Sequence, residues 1–219
     1  DWIERIGLQF HWENKDFKNF DDFLKLLKSH KRKMIKKERN SIINSNISIK
    51  KLTGKEITSS IWDKFYSFYL KTIEKKWGGA YLNRCFFQKI SDKMGSKILL
   101  IIALKDNKII AGALNFIGKK HLYGRSWGAV VDIPFLHFEL CYYQAIDFAI
   151  ENNIKTVEAG AQGPHKIKRG YLAKPTYSYH YIPHQLFRKA ITRFVKHEKK
   201  EISDQIKYVN TTGTPYLDL

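Results

Sequence analysis

The stretch from residue 98 to residue 128 constrains the fold of this chain more than any other part of the sequence. Ile98–Ala103 is a continuous apolar run that is too short for a typical helix and consists mainly of Ile and Leu. Asp106-Asn107 is a two-residue turn of the kind that closes a β-hairpin, so residues 108–117 are predicted to form the partner strand. Residues 121–128 are predicted to form a third strand after a further turn. The stretch therefore predicts three consecutive antiparallel strands.

A helix and a fourth strand are predicted to follow. Pro134 suits the first turn of a helix, and apolar side chains recur at helical spacing from Phe135 to Ala149. Asn152-Asn153 ends this helix, and residues 156–161 are predicted to form a strand. A helix that connects two strands favours a right-handed crossover between parallel neighbours. We therefore expect a mixed sheet with a ligand site where the strand order changes.

The remaining segments predict helices on the flanks of the sheet. A basic helix is predicted from residue 21 to residue 39, with Asn19 or Asp21 as its cap. Patterns of apolar residues predict strands over 6–12, 47–52 and 177–182, and helices over 59–76, 82–94 and 186–206. The expected fold class is therefore α/β (α+β), with a mixed central sheet flanked by helices.

The charge of the chain predicts an anionic partner. Its 219 residues carry a formal net charge of +18, with a pI near 9.7. Such a charge favours association with a nucleic acid, a phosphorylated cofactor or a lipid surface. The alternative is a compositional bias, because abundant Lys, Ile and Asn are typical of AT-rich genomes. Both explanations remain open at the level of sequence.

Cysteine and histidine spacing argues against a metal site or a disulfide framework. Cys85 and Cys141 lie far apart among apolar neighbours, which predicts buried thiols in a reducing compartment. His180 and His184 lack an evident third ligand, so no metal is expected. No apolar run approaches the length of a membrane span and no signal peptide is visible, so we expect a cytoplasmic protein without a transmembrane segment.

The loop after the fourth predicted strand is the strongest candidate for chemistry. It combines fixed positive charges and an imidazole with glycines that allow a backbone to approach an anion. Its candidate residues are Gln162, Gly163, His165, Lys166, Lys168, Arg169 and Tyr171. Of these, His165 is a candidate proton shuttle. The alternative interpretation is a charged surface loop.

Three acid–base residues are candidates close to this loop in the predicted fold. Glu158 lies in an otherwise apolar strand, where a carboxylate needs a partner. It is either a catalytic group or one half of a buried ion pair with Arg125 or Arg169. His137 and Glu139 open the predicted helix, where they are either a base or amine-binding pair, or a packed histidine and a carboxylate that favours the helix dipole.

Glycines and aromatic residues indicate further points of contact. Gly112 and Gly124 lie inside strands, where glycine indicates a bulge or the close approach of a backbone or ligand. Arg125 is either a salt-bridge partner or an anion clamp. Trp77 and Tyr81 flank a glycine turn and belong either to the core or to an aromatic wall of the substrate pocket.

Several segments resemble a known family of transferases. They resemble the C-terminal acyltransferase domain of Fem-type peptidoglycan aminoacyltransferases, which consist of two GNAT-like domains in tandem. The segments are Ala111-Gly112-Ala113, Leu122-Tyr123-Gly124, Pro134-Phe135-Leu136 and Lys166–Tyr171. The stretches Gln9–Trp12, Phe20–Leu24, Lys31–Lys33, Gly112–Phe116, His137–Glu139 and Glu158–Gly163 are similar to bacterial GNAT-type N-acyltransferases called FemAB-like.

This resemblance implies an organisation and an activity. Residues 47–219 would form a GNAT-like acyltransferase domain, and residues 1–46 the end of an upstream GNAT-like half with its connecting basic helix. The Fem-type counterparts of Lys166 and Arg169 lie at the acyl-donor site. The GNAT pyrophosphate signature is missing here, as in Fem-type proteins, so the implied donor is either an acyl-CoA or an aminoacyl-tRNA.

We therefore expect an N-acyltransferase. The acyl or aminoacyl group of an anionic donor would pass to an amine-bearing acceptor by direct attack, without a covalent intermediate, which is consistent with the absence of a GxSxG nucleophile elbow. The alternative is a non-catalytic module in which basic helices bind tRNA or another polyanion through its phosphates.

Overall fold

The computed structural model describes residues 2–75 and 79–217, and its centre is one seven-stranded mixed sheet. The strand order is β2-β3-β4-β5-β6-β1-β7. The strands are β1 (Ile3–Glu13), β2 (Ser48–Thr53), β3 (Ile98–Lys105), β4 (Lys108–Ile117), β5 (His121–Ala129), β6 (Thr156–Glu158) and β7 (Leu172–His180). The expected mixed sheet flanked by helices is therefore confirmed.

The antiparallel part of the sheet follows the sequence closely. β2, β3, β4 and β5 pair antiparallel in that order. Asp106 and Asn107 have φ angles of 49° and 59°, as a tight hairpin of the I′ type requires. Residues Ile98–Ala103 are all buried because both faces of this strand are covered, and alternate side chains belong to two different hydrophobic clusters.

The parallel pair β5–β6 is shorter than predicted. The two strands are in register only from His121 opposite Thr156 to Tyr123 opposite Glu158. Beyond Glu158 the chain stays with β1, since the Phe10 amide donates to the Gly160 carbonyl at 3.0 Å. Gly160 has a φ of +78°, which bends the chain away from β5. The predicted strand over 156–161 therefore ends at Glu158, and β5 and β6 diverge there.

A bulge in β5 marks the same region. Leu114 pairs with Ser126 and Asn115 pairs with Gly124, so Arg125 is the extra residue on β5. The bulge predicted from Gly124 is therefore present. It lies beside the end of β6, because an added Cβ at Gly124 would be 3.1 Å from the Glu158 carbonyl oxygen. Further along β5, an added Cβ at Gly128 would lie 2.3 Å from the Phe68 carbonyl oxygen, so glycine permits close helix packing.

Helices cover both faces of the sheet. They are α1 (Phe20–Lys25), α2 (Ser29–Ile43), α3 (Ser59–Glu74), α4 (Arg84–Met94), α5 (Leu136–Phe138), α6 (Gln144–Glu151) and α7 (Gln185–Thr212). A π-helical turn, Glu139–Tyr143, joins α5 to α6. The helix predicted over 21–39 is two helices, because the chain between them forms a bridge from Leu27 to Tyr216. Asn19 caps α1 by accepting from the Asp22 amide at 3.0 Å.

Strand β1 and the two cysteines bear on the sequence-based expectations. Strand β1 lies between β6 and β7, so residues 3–13 belong to the same sheet as the strands that follow residue 47. The domain boundary predicted after residue 46 stays a prediction. Cys141 is half-buried, whereas Cys85 is exposed on α4 because only Phe87 of that helix is fully covered. The prediction of two buried thiols is therefore wrong for Cys85.

Candidate active site

A cleft of about 900 Å³ opens where β5 and β6 diverge. Its walls come from β4, the bulge of β5, α3, the π-helical turn, the end of β6 and the loop that follows β6. Its polar and aromatic lining includes Gln9, Tyr69, Asn115, Tyr123, Arg125, Trp127, His137, Tyr142, Glu158, Gln162, His165 and Lys166. A cleft is therefore present beside the parallel β5–β6 pair, where the change in strand order predicted a ligand site.

Glu158, which lines the cleft, forms an acid–base group with two neighbouring histidines. The Glu158 carboxylate lies 2.8 Å from His121 Nδ1 and 3.8 Å from His11 Nε2. Strand register causes this grouping, because His11 on β1 is directly opposite Glu158 on β6. Burial lowers the pKa of His11, against the opposing effect of Glu158. The expected partners Arg125 and Arg169 are not the ones that pair with Glu158.

Lys166 is a buried amine that lines the same cleft. Only 5% of the residue is exposed. Its Nζ donates to the carbonyl oxygens of Ala159 at 2.5 Å and Gly160 at 3.3 Å. An ammonium has three N–H bonds, and these carbonyls account for two of them. Burial lowers the pKa of Lys166 from 10.5 to about 8, because the charged form loses its hydration.

The shifted pKa predicts a pH-dependent stability. Between about pH 8 and pH 10.5 the unfolded chain keeps the Lys166 proton and the folded protein releases it, so the free energy of unfolding rises with pH. We expect wild type to gain about 1–3 kcal/mol over that range relative to Lys166→Met, which has no such proton. Urea unfolding of both proteins at pH 7.5 and 9.5 measures the difference. Parallel pH profiles for the two proteins would contradict it.

A hydrogen-bonded imidazole and phenol form another wall of the cleft. His165 Nε2 lies 2.9 Å from the Tyr142 hydroxyl. Burial, with Arg169 and Lys166 nearby, lowers the pKa of His165, and burial raises that of Tyr142. Near neutral pH this pair therefore consists of a neutral imidazole and a protonated phenol. His137 packs edge-on against Trp127 beside them, with ring centroids 5.2 Å apart.

The mouth of the cleft carries a guanidinium and a phenol. Arg125, the bulge residue, donates to the Tyr81 hydroxyl, and both side chains are exposed. Gln162 and Gly163 lie on the loop across the opening. Gly163 has a φ of +100°, and the ring of His165 packs against it: an added Cβ at Gly163 would lie 2.3 Å from His165 Cε1. Trp77 lies outside the residues that the structure describes.

Four predicted site residues do not line the cleft. Arg169 is buried against Glu38 at 2.6 Å and lies 3.5 Å above the Phe138 ring. Glu139 pairs with Arg39 at 3.1 Å, and burial raises its pKa. Tyr171 is fully buried, and Lys168 points to solvent. The direct site roles assigned to these residues are corrected: three hold the fold beneath the site, and Lys168 lies outside the cleft.

Several residues in the cleft wall or in contact with it were not candidates from the sequence. His11 and His121 are paired with Glu158 only through strand register, and the sequence offers no such pairing before β1 is placed beside β6. Asn115 is a fully buried amide in an apolar strand, and this polar residue in a hydrophobic run was an available signal. Tyr142 belongs to the helical apolar pattern, so its hydroxyl gave no separate signal.

Residues 2–75 and 79–217 contain neither a cluster of metal ligands nor a helix that could span a membrane. Within that part of the chain no three His, Cys, Asp or Glu side chains cluster as metal ligands. Over the same residues, each helix falls short of the length and apolarity that crossing a membrane requires.

Comparison with solved structures shows related folds. FemX superimposes with a TM-score of 0.60 at 12% identity, over 84% of this chain and 64% of that chain. L-PGS from Bacillus licheniformis gives 0.57 at 10% identity, over 88% and 67%. The C-terminal domain of a putative lysylphosphatidylglycerol synthetase from Agrobacterium fabrum gives 0.53 at 12%, over 88% and 66%. The chain thus spans about two thirds of the length of these proteins.

The sequence comparison identifies the family. No curated protein sequence matches the chain. A family profile named FemAB-like, described as peptidoglycan biosynthesis/recognition, matches residues 1–217. Because this match covers nearly the whole sequence, the chain belongs to the FemAB-like family.

Proposed function

We propose that this protein is an N-acyltransferase that passes an acyl or aminoacyl group to an amine. The observation that carries the proposal is that the Glu158 carboxylate, paired with His121, and the Lys166 ammonium line the same cleft. Membership of a peptidoglycan biosynthesis family supports an amine of a peptidoglycan precursor as the acceptor. The fold shared with FemX supports a Fem-type transferase.

The proposed reaction needs no covalent enzyme intermediate. The acceptor nitrogen forms a C–N bond to the acyl carbon, and the C–S or C–O bond to the CoA or tRNA carrier breaks. Glu158, oriented by His121, takes the proton that the amine loses. The departing thiolate or ribose oxygen takes a proton from the Tyr142 hydroxyl, which His165 holds in position. Solvent then restores both groups.

Lys166 and Arg125 have electrostatic roles in this proposal. The third N–H of the Lys166 ammonium donates to the oxygen that becomes negative in the tetrahedral intermediate, where a preorganised donor has its largest effect. Arg125, at the exposed mouth, contacts a phosphate of the donor. Because the pKa of Lys166 is about 8, its amine is mostly protonated near neutral pH and carries the positive charge that this role requires.

The experiment offers purified protein two labelled donors and one acceptor. The donors are a radiolabelled acyl-CoA mixture and total tRNA charged with labelled amino acids, and the acceptor is an amine-bearing peptidoglycan stem peptide. We expect label to enter the acceptor from one donor, with amide formation verified by mass spectrometry. Binding of RNA that falls steeply with salt, without any transfer from either donor, would replace the proposal by the polyanion-binding alternative.

A further inference from the structure

An exposed aromatic and basic surface lies at the sheet edge formed by β7 and the start of α7. Helix α7 packs on β1 and β7 with one face, on which Val195 is buried. Its first turns carry a second apolar stripe that nothing in the described chain covers. Leu186, Phe187 and Phe194 are 72%, 62% and 60% exposed. This stripe, which we call the α7 stripe, is distinct from the cleft.

The α7 stripe follows helical geometry. Phe187, Ala190 and Phe194 recur at intervals of three and four residues, so their side chains share one face. Cations occupy the adjoining face, where Lys189, Arg193, Lys196 and Lys200 recur at the same intervals and are exposed. At about 100° per residue, the α7 stripe lies between the buried face and this basic face. A helix with these three faces is amphipathic even after it has packed on its own sheet.

Aromatic residues extend the surface beyond the helix. Trp2 is 68% exposed, and its ring centroid lies 5.8 Å from that of Tyr181. The Arg188 guanidinium lies over the Tyr181 ring at 5.3 Å and so joins this pair to the first turn of α7. Trp and Tyr are the residues that favour the boundary between headgroups and acyl chains of a bilayer.

We propose that this surface docks the protein on an anionic lipid bilayer, with α7 lying in the plane of the headgroups. Apolar side chains flanked by cations are the features of a helix that inserts into the headgroup region. Charge complementarity selects this occupant. A second copy of a chain with net charge +18 would bring the same basic face and be repelled. Nucleic acid would match the cations and leave Leu186 and the phenylalanines in water.

The test is flotation of the purified full chain with two kinds of vesicle. One contains phosphatidylcholine alone, and the other also contains about 30 mol% phosphatidylglycerol, which gives the vesicle a negative surface. We expect binding to the anionic vesicles and at least about tenfold weaker binding to the neutral ones. Binding should also weaken with salt, because the basic face is exposed.

Three variants separate the contributions. Leu186→Ser/Phe187→Ser/Phe194→Ser removes the α7 stripe, and Lys189→Gln/Arg193→Gln/Lys196→Gln/Lys200→Gln removes the basic face; each should reduce partitioning about tenfold or more. The matched control removes four exposed cations elsewhere: Lys33→Gln/Lys37→Gln/Lys89→Gln/Lys93→Gln. It should bind vesicles within about twofold of wild type, because the lost charges lie outside the surface.

The outcomes are decisive in both directions. Because all substituted residues are exposed, circular dichroism should show unchanged folding in each variant. Equal losses in the basic-face variant and its control would mean that net charge alone drives binding, and the docking surface would be rejected. Full vesicle binding by the serine variant would also reject it, as would binding to an RNA duplex with none to vesicles.

Discussion

Glu158→Gln should lower the rate of acyl transfer by about 10²–10⁴-fold and leave the fold intact. Glutamine keeps the size of the side chain and a hydrogen bond to His121, but it cannot accept the proton that the attacking amine must lose. Within residues 2–75 and 79–217, Glu158 is also the only carboxylate that lines the cleft. Steady-state kinetics with the donor that supports transfer measures the loss, and we expect it mainly in kcat.

Glu151→Gln is the matched control for this prediction. Glu151 is an exposed carboxylate at the end of α6 that pairs with Lys51 at 2.7 Å, away from the cleft. Its loss should leave kcat near the wild-type value, since an exposed ion pair contributes little. If Glu158→Gln and Glu151→Gln were equally active, Glu158 would not be the base, and the His165–Tyr142 pair would be the next candidate.

His121→Asn would test the orienting role separately. His121 holds the Glu158 carboxylate at 2.8 Å from outside the reacting atoms, so it is a positioning residue. A structural role alone would leave kcat of the folded variant unchanged, whereas loss of the orienting hydrogen bond should lower kcat with little change in KM.

Local patterns were enough to predict the antiparallel half of the sheet. The apolar run at Ile98–Ala103 predicts a buried strand, and the Asp106-Asn107 turn predicts an antiparallel partner for it, so the two signals support the same hairpin. The parallel β5–β6 pair was predictable because a helix connects these two strands. The sequence also identified Glu158 and Lys166 as candidates, because each is an ionisable residue in or next to an apolar segment.

Long-range pairing decided what the sequence did not reveal. β1 lies about 140 residues before β6 in the chain, and the local sequence of residues 3–13 does not indicate which strand β1 pairs with. Consequently the pairing of His11 with Glu158 was missed. The same limit explains why Arg169 was assigned to the cleft, because its partner Glu38 belongs to α2, whose position depends on the whole sheet.

Arg169→Met should lower the free energy of unfolding by about 3–5 kcal/mol. Arg169 donates two hydrogen bonds to Glu38, at 2.6 and 3.0 Å, with both side chains about 95% buried. Removing the guanidinium leaves a buried carboxylate that keeps only the Tyr143 hydroxyl as a neutral donor. Arg169 also donates to the His165 carbonyl at 2.8 Å, so its loss should loosen the loop that carries Lys166.

Two comparison variants make the stability prediction sharp. Arg84→Met removes the same side chain from an equally bidentate pair with Asp63, but that pair is exposed, so unfolding by urea should change little. Glu38→Gln/Arg169→Met removes the stranded charge and should recover part of the loss, because the main penalty is the uncompensated carboxylate rather than the absent ion pair. Equal effects of Arg169→Met and Arg84→Met would show that burial does not amplify the Arg169–Glu38 interaction, and the loop over the cleft would then need another source of rigidity.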